Sequence, residues 1–461
     1  MPWYLFIKMG IIFRIKDFAY PFSILKLRGI FEKNQWLAEA FINEYQSAQL
    51  RKIVAHAYTY VPYYQKLFRA NNIVPDDIQT RADLEEIPFM TKELLQCNFD
   101  SLTALDSKKY RPALLSTSGT TGGKINFYVD KPSNVLEFVY YWRFWSWAGY
   151  RLGDIFADLD VEFFPFFKKD TSALYHFNYF TKKLTVNSLL ISLKYADEFI
   201  GIFRKFKPLF LKGIPSNLYM LALVLHEKQN HGISFRAIFS QGENLPAYQR
   251  ELVEKVFSCR IFDSYGQMER TVAISQCQYG TYHLHSDYGI AEFADPEFPL
   301  ADDDTGETCV KEIVGTSLHN LSMPLIRYRT RDLVKIRNGR QKCACNREFP
   351  AVISVLGRNA DVIITPDRRA VTALYLVFDH TPGVVMGQIV QEKIDQLLVK
   401  IVFASKNSAG AEQILKRNIH DFIGTAMKIK IEQTTIEQIK KENRGKFKII
   451  VSNIQHKEIF E

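Results

Sequence analysis

The chain has 461 residues, of which 47% are hydrophobic and 24% charged. That composition excludes a disordered chain, a collagen-like repeat and a coiled-coil rod, and the length allows about two to four domains. Fifty-nine basic and 50 acidic residues leave a net charge of +9, a modest excess that suits phosphates or an anionic surface. No zinc-finger, RNA-recognition or leucine-zipper pattern accompanies the charge, so no nucleic-acid partner is predicted.

Residues 1–30, MPWYLFIKMGIIFRIKDFAYPFSILKLRGI, are apolar and aromatic, with Lys8, Arg14, Lys16, Lys26 and Arg28 against a single acid, Asp17. The basic residues interrupt the apolar run, which rules against a signal peptide. Two readings fit: a helix packed on its own protein, or an interfacial helix on an anionic membrane surface with snorkelling basic residues. No run reaches the roughly 18 apolar residues of a spanning helix. Over residues 36–70 apolar positions recur at three- and four-residue spacing, which predicts a helix as far as Pro62.

From about residue 110 short β-type runs alternate with helical ones, among them IFADLDVEFF, PLFLKGI, RAIFSQGE and RIFDSYG. Such alternation predicts an α/β fold of layered sheets and helices. The turn-forming string ADPEFPLADDDTGE predicts a hairpin. Beyond Gly357 the runs DVIITP, VVMGQIVQEK, QLLVKIVFA and KIKIEQ, with a helix around AEQILKRNIHDFIGTAM, predict a small α+β unit. The expected organisation is therefore a basic aromatic segment (1–35), a large domain (36–357) and a small C-terminal domain (358–461). The aromatic stretch 135–180 fits either a sheet core or the lining of a substrate pocket.

The string Leu115-Ser-Thr-Ser-Gly-Thr-Thr-Gly-Gly-Lys124 carries the most chemistry. Its glycines permit close backbone approach, its hydroxyls donate without bulk, and loop amides of this kind can face phosphate oxygens. It is not a Walker A loop: Ser118 stands where that pattern needs glycine, and Ile125 follows the lysine.

STSGTTGG resembles the phosphate loop of the adenylate-forming enzymes, which activate a carboxylate as acyl-AMP with release of pyrophosphate. Further motifs follow in the family's order. Ser240-Gln-Gly-Glu-Asn-Leu245 is similar to the adenine-contacting segment. Ser264-Tyr-Gly-Gln-Met-Glu269 resembles the Tyr-Gly-x-x-Glu motif, Arg327-Tyr-Arg-Thr-Arg-Asp332 the ribose-binding motif, Gly357-Arg-Asn-Ala-Asp361 the interdomain hinge, and Arg444-Gly-Lys446 the segment with the mobile lysine. The branch resembled is that of phenylacetate–CoA ligase and CapK-like proteins (coenzyme F390 synthetase-like), over about the whole chain beyond residue 36.

The resemblance implies ATP and AMP contacts from Ser116, Thr117, Ser118, Gly119, Thr120, Thr121, Gly122, Lys124, Gly242, Glu243, Ser264, Tyr265, Gly266, Asp332 and Arg358. It makes Lys446 and Glu269 the catalytic residues, Glu269 the magnesium ligand and Asp361 the hinge. The implied substrates are ATP, a carboxylic acid and an acceptor, which is CoA or an amine or hydroxyl. The implied setting is bacterial surface-polysaccharide biosynthesis in the cytoplasm, at or near the inner membrane face, as a monomer or homodimer. A non-catalytic, nucleotide-binding scaffold is the alternative. Three departures stand out: Lys124 replaces the loop's usual proline, Arg331 replaces a glycine, and the Gly-rich turn that CoA ligases carry after Asp361 is missing.

Cys277 and His283 follow the Tyr-Gly-x-x-Glu motif, and Cys343 and Cys345 share a second short loop. Two soft ligands on each of two loops fit a closed Cys₃His zinc site, with His285 as an alternative ligand. Some members of the branch show this arrangement, which would pin the loops flanking the nucleotide motifs. Cys97, Cys259 and Cys309 are expected to be core residues.

Overall fold

The computed structural model describes the chain except residues 1–19, 118–124, 160–172, 192, 230–231, 297–306, 340, 359–362, 367–369, 372–373, 375, 405–408, 437, 440–448 and 455–461. The described chain opens with helices α1 (Tyr20–Asn34), α2 (Glu39–Tyr60) and α3 (Pro62–Ala70). The helical pattern ends at Tyr60 but resumes at once, because Pro62 occupies the first turn of α3, where a missing N–H costs nothing. Leu50, Ile53, Val54, Ala57, Tyr64 and Phe68 form one face of this pair and pack on an antiparallel hairpin, β1 (Ala113–Thr117) and β2 (Ile125–Val129). Asp130 then caps α4 (Lys131–Trp147), accepting from Ser133 N–H at 2.8 Å and Leu321 N–H at 2.7 Å.

The next segment runs β3 (Phe156–Leu159), β4 (Tyr175–Asn178), β5 (Lys183–Val186), α5 (Ala196–Phe206), β6 (Phe210–Gly213), α6 (Pro215–Glu227), β7 (Ala237–Gln241), α7 (Ala247–Phe257), β8 (Ile261–Gly266), β9 (Ala273–Gln276) and β10 (Tyr282–Leu284). It is followed by β11 (Gly289–Ala294), β12 (Thr308–Ser317), β13 (Tyr328–Arg337), β14 (Ala351–Val352) and β15 (Ser354–Arg358). Nine of these strands make one sheet in the order β14-β10-β9-β8-β7-β6-β3-β5-β4. Within it β5, β3, β6, β7 and β8 are parallel. Central parallel strands covered on both faces read as unbroken apolar runs, and β3 is buried at every position.

Much of the described part of the aromatic stretch is core, although Phe138, Tyr179 and Phe180 are exposed. Phe144, Trp147 and Phe156 pack with Phe210, Phe239 and Phe262. A second sheet, β11-β12-β13-β15, lies against the loop after β8. Gly289 and Gly315 make that contact, since a Cβ on either would fall within about 2 Å of Thr271. The antiparallel β11–β12 pair agrees with the expected hairpin.

After a small pair, β16 (Ile363–Ile364) and β17 (Ala370–Val371), come β18 (Val384–Lys393), β19 (Gln396–Phe403), α8 (Ala409–Ile423), β20 (Lys428–Gln433) and β21 (Ile450–Ser452). They form a four-stranded sheet, β20-β19-β18-β21, whose core of Ile389, Val399, Ile401, Leu415 and Ile419 is separate from the others. The Tyr219 hydroxyl on α6 donates to the Val385 carbonyl at 2.6 Å. Among the described residues, no helix is long and apolar enough to cross a membrane.

Candidate active site and candidate metal centre

Parallel strands all end on one edge of the sheet, and the helices that follow them begin there. Three motif segments meet at this edge. Gln241 ends β7, and Gly242 turns the chain with φ +82°, which a side chain would resist. Ser264, Tyr265 and Gly266 end β8, with Ser264 paired to Gln241. The α6 amino terminus joins them through Ser216 N–H, which donates to Glu243 Oε2 at 3.1 Å. Ser264 Oγ donates to the Ser240 carbonyl at 3.1 Å and holds the two strand ends in register.

The second sheet supplies Asp332, where β13 lies against β15 and backbone pairing sets Asp332 opposite Arg358. Asp332 is buried, and its Oδ2 accepts the Tyr265 hydroxyl at 2.6 Å. Burial and the adjacent carboxylate hold the Tyr265 phenol well above its ordinary pKa, so it stays protonated and donates. Glu269 is also buried, and its Oε1 accepts the Tyr328 hydroxyl at 3.1 Å. The loop bearing Glu269 is tied by Gln267, which donates to Thr271 Oγ1 at 2.6 Å and accepts from Val272 N–H at 3.2 Å. Sequence reasoning passed over Tyr328, although it lies inside the Arg327–Asp332 motif; nothing local announces its reach to Glu269. Asn244 was likewise passed over; its Nδ2 donates to the Leu356 carbonyl at 2.7 Å, fastening the β7 loop to β15.

Ser116 and Thr117 end β1, paired with Asn126 and Ile125. Ser118, Gly119, Thr120, Thr121, Gly122, Lys124, Asp361 and Lys446 lie outside the described residues, as do the side chains of Ser116, Thr117 and Arg358.

Arg331 adopts φ +62°, the left-handed conformation that the family's glycine would take without cost. Its N–H donates to Glu312 Oε1 at 3.1 Å and its guanidinium pairs with Glu93 at 2.9 Å. A left-handed non-glycine residue costs about 1–2 kcal/mol, and a half-exposed ion pair returns at most about 1 kcal/mol. Arg331→Gly is therefore expected to hold or raise stability by up to about 1 kcal/mol. Arg331→Val is expected to lower it by about 1–2 kcal/mol. Urea unfolding of both variants checks this.

At the other end of β9 and β10 four soft ligands converge. The ligand atoms of Cys277, His283, Cys343 and Cys345 all lie within 4.8 Å of one another. Cys277 Sγ and Cys343 Sγ are 3.7 Å apart, and Cys345 Sγ is 3.2 Å from His283 Nε2. Tetrahedral zinc with thiolate and imidazole bonds of about 2.3 and 2.0 Å requires ligand separations of roughly 3.5–3.8 Å, so the set fits with little adjustment. His283 Nδ1 lies 3.1 Å from the Phe349 carbonyl, a contact that needs the proton on Nδ1 and leaves Nε2 for a metal. Backbone N–H groups of Tyr279 and Cys345 face the sulfurs of Cys277 and Cys343 at 3.4 and 3.5 Å.

His285 is not part of this group. Its Nδ1 lies 2.5 Å from Arg143 Nη2 and must accept, so the alternative ligand is spent elsewhere. The β8–β9 register also puts the cluster away from the nucleotide motifs: Gly266 pairs with Ala273, whereas Cys277 follows the far end of β9. The cluster adjoins the motifs in sequence and sits a strand's length away in space. Of the remaining cysteines, Cys97 is exposed, and Cys259 and Cys309 are half-buried rather than core.

Comparison with known proteins points to the same branch. Residues 363–453 match the CapK C-terminal domain. Protein CapK of Staphylococcus aureus is 23% identical over 406 residues, 85% of each chain. Phenylacetate-coenzyme A ligase of Aromatoleum evansii is 28% identical over 353 residues, 71% of this chain and 73% of that one. Over most of its length the chain is similar to the phenylacetate–CoA ligase/CapK-like branch of the adenylate-forming enzymes. A crystal structure of 2-hydroxyisobutyryl-CoA ligase in the postadenylation state shares the fold, with a TM-score of 0.67, 15% identity, and coverage of 93% of this chain and 92% of that one. This CapK-like chain thus has the α/β architecture, with a small C-terminal domain, of the adenylate-forming ligases.

Proposed function

We propose that this CapK-like ligase activates a carboxylic acid with ATP and passes the acyl group from acyl-AMP to CoA. The observation that carries the proposal is the meeting of Gly242, Ser264–Gly266, Asp332 and Glu269 at one sheet edge, in a chain whose motifs run in the family's order. In the first step a carboxylate oxygen attacks the α-phosphorus. An O–P bond forms, the α–β anhydride breaks, and pyrophosphate leaves. Two anions must approach, so the site has to supply positive charge and alignment rather than proton transfer.

In this reading Asp332, held by Tyr265, accepts both ribose hydroxyls. The loop from Ser116 to Lys124 cradles phosphates, Gly242 and Glu243 border adenine, and Lys446 bridges the reacting carboxylate and phosphate. Glu269 is the oxygen ligand for magnesium, which would offset phosphate charge. Cys277, His283, Cys343 and Cys345 hold a structural zinc. The cellular role assigned is surface-polysaccharide biosynthesis in the cytoplasm, with residues 1–30 contacting the inner membrane face. The missing Gly-rich turn after Asp361 favours a second reading, in which an amine or hydroxyl replaces CoA in the last step.

ATP–pyrophosphate exchange across aryl, fatty, amino and sugar acids tests the first step, and CoA or amines added afterwards identify the acceptor. Lys446→Ala is expected to slow exchange by about 10²–10³, the usual cost of one transition-state charge stabiliser, with an unchanged melting curve. Absence of exchange with every acid would instead favour the scaffold.

A further inference from the structure

The sheet edge opposite the nucleotide motifs is unlike the rest of the surface. The described loops there include 150–155, 179–182, 204–209, 232–236, 258–260 and the β9–β10 turn, 277–281. Together they hold seven Lys or Arg and one acid, Asp154. On the nucleotide edge, loops 213–215, 241–246, 266–272 and 285–288 hold three acids and one Arg. Basic residues here partly complement helix C-termini, since α5 and α7 both end at this edge. That does not account for the apolar side chains among them. Tyr179 is 75% exposed, Phe180 61% and Tyr279 58%.

Tyr179 and Phe180 form the tip of the β4–β5 hairpin. Asn178 Oδ1 accepts from Phe180 N–H at 3.0 Å and Thr181 N–H at 3.1 Å, which fixes the turn with both aromatics outward. Lys182 completes the tip and its carbonyl accepts from Phe156 N–H at 3.2 Å, so the tip stands directly over the start of β3. Helix α1 reaches the same edge, where Arg28 lines a small cleft with Trp142, Tyr150 and Leu152. From the hairpin to the β9–β10 turn the edge spans roughly 35 Å, at about 4.8 Å per strand.

Aromatic side chains held outward among cations suit the headgroup region of a bilayer, where amphipathic rings partition and anionic lipids attract the charge. We propose that this edge docks on an anionic membrane surface, with the Tyr179–Phe180 tip inserted among headgroups and the nucleotide edge turned to solvent. The inference stands on the folded edge and does not depend on the catalytic reading.

The test is sedimentation of the full chain with phosphatidylglycerol/phosphatidylcholine vesicles and with phosphatidylcholine alone, joined to hydrogen exchange on the vesicles. The expected result is salt-sensitive binding to the anionic vesicles only, with amides 177–183 protected when bound. The double variant Tyr179→Ser/Phe180→Ser is expected to bind at least tenfold more weakly, with an unchanged melting curve and unchanged pyrophosphate exchange in vesicle-free solution. Absence of vesicle binding overturns the proposal. So does binding that leaves amides 177–183 unprotected and the double variant unaffected, or capture by a random RNA that the double variant retains in full while vesicles fail to compete. A wild-type protein that binds vesicles but catalyses no exchange would count against the enzymatic reading alone.

Discussion

Cys345→Ser is expected to empty the Cys₃His centre and to cost about 3–5 kcal/mol of stability, in the range reserved for loss of a metal or a core element. Wild-type protein should carry one zinc per chain by elemental analysis, and the variant less than a tenth of that. The size of the effect follows from what the ligands join. Cys277 belongs to the β9–β10 turn and His283 to β10, while Cys343 and Cys345 belong to a separate loop, which also meets the turn through Cys343 to Thr281 at 3.3 Å and Arg347 to Gln278 at 3.1 Å. Without the metal, three sulfurs and an imidazole would be packed within 4.8 Å with nothing to bind. The centre lies at the opposite end of β9 from Gly266, so pyrophosphate exchange per folded molecule is expected to stay within about threefold of wild type. A catalytic metal would not permit that. Cys259→Ser, outside the cluster, should leave the zinc content unchanged. Zinc-free wild-type protein with full stability would overturn the assignment.

That centre also shows how much of the molecule was legible in the sequence. Soft ligands two by two on short loops are a local signal, and so are the glycine at Gly242 and the strand-ending Ser264–Gly266. Local signals survive folding because they are backbone requirements: a positive φ, a strand end, a capped turn. Pairings between distant segments left no such mark. Tyr265 and Asp332 are separated by 67 positions, and Glu269 and Tyr328 by 59, yet each pair shares a hydrogen bond. Nothing in the composition of either segment dictates these bonds, which follow from the second sheet's seating against Thr271. The same holds for which edge the cysteines occupy. Proximity in sequence suggested the nucleotide motifs, and one antiparallel strand carried them to the other end. Arg331 is the converse case. It stands where the family has glycine, and its left-handed φ shows that the backbone kept the glycine-like conformation while the side chain found Glu93.

Another distant pairing is the one whose loss is expected to be costliest among single side chains outside the metal centre. Arg143 on α4 and Asp287 are both fully buried and joined by two hydrogen bonds, of 2.6 and 2.8 Å. The same guanidinium donates to the Phe31 carbonyl at 2.8 Å, and Asn34 donates to Asp287 Oδ2 at 3.1 Å, so the pair fastens α1 to the sheet. His285 beside it is held well below its ordinary pKa, first by burial and then by Arg143, and is therefore neutral. Its uncharged ring leaves Arg143 as the counter-charge that Asp287 needs. Arg143→Ala is expected to cost about 3–5 kcal/mol, because a carboxylate is then stranded in the interior. The amides of α1 should exchange faster with deuterium, since both fastenings to Phe31 and Asn34 run through this pair. Replacing the pair together, as Arg143→Met/Asp287→Leu, removes the stranded charge and is expected to recover most of the loss. Urea unfolding separates the outcomes. A double variant no better than Arg143→Ala would mean that the hydrogen bonds to α1, and not the buried charge, supply the stability.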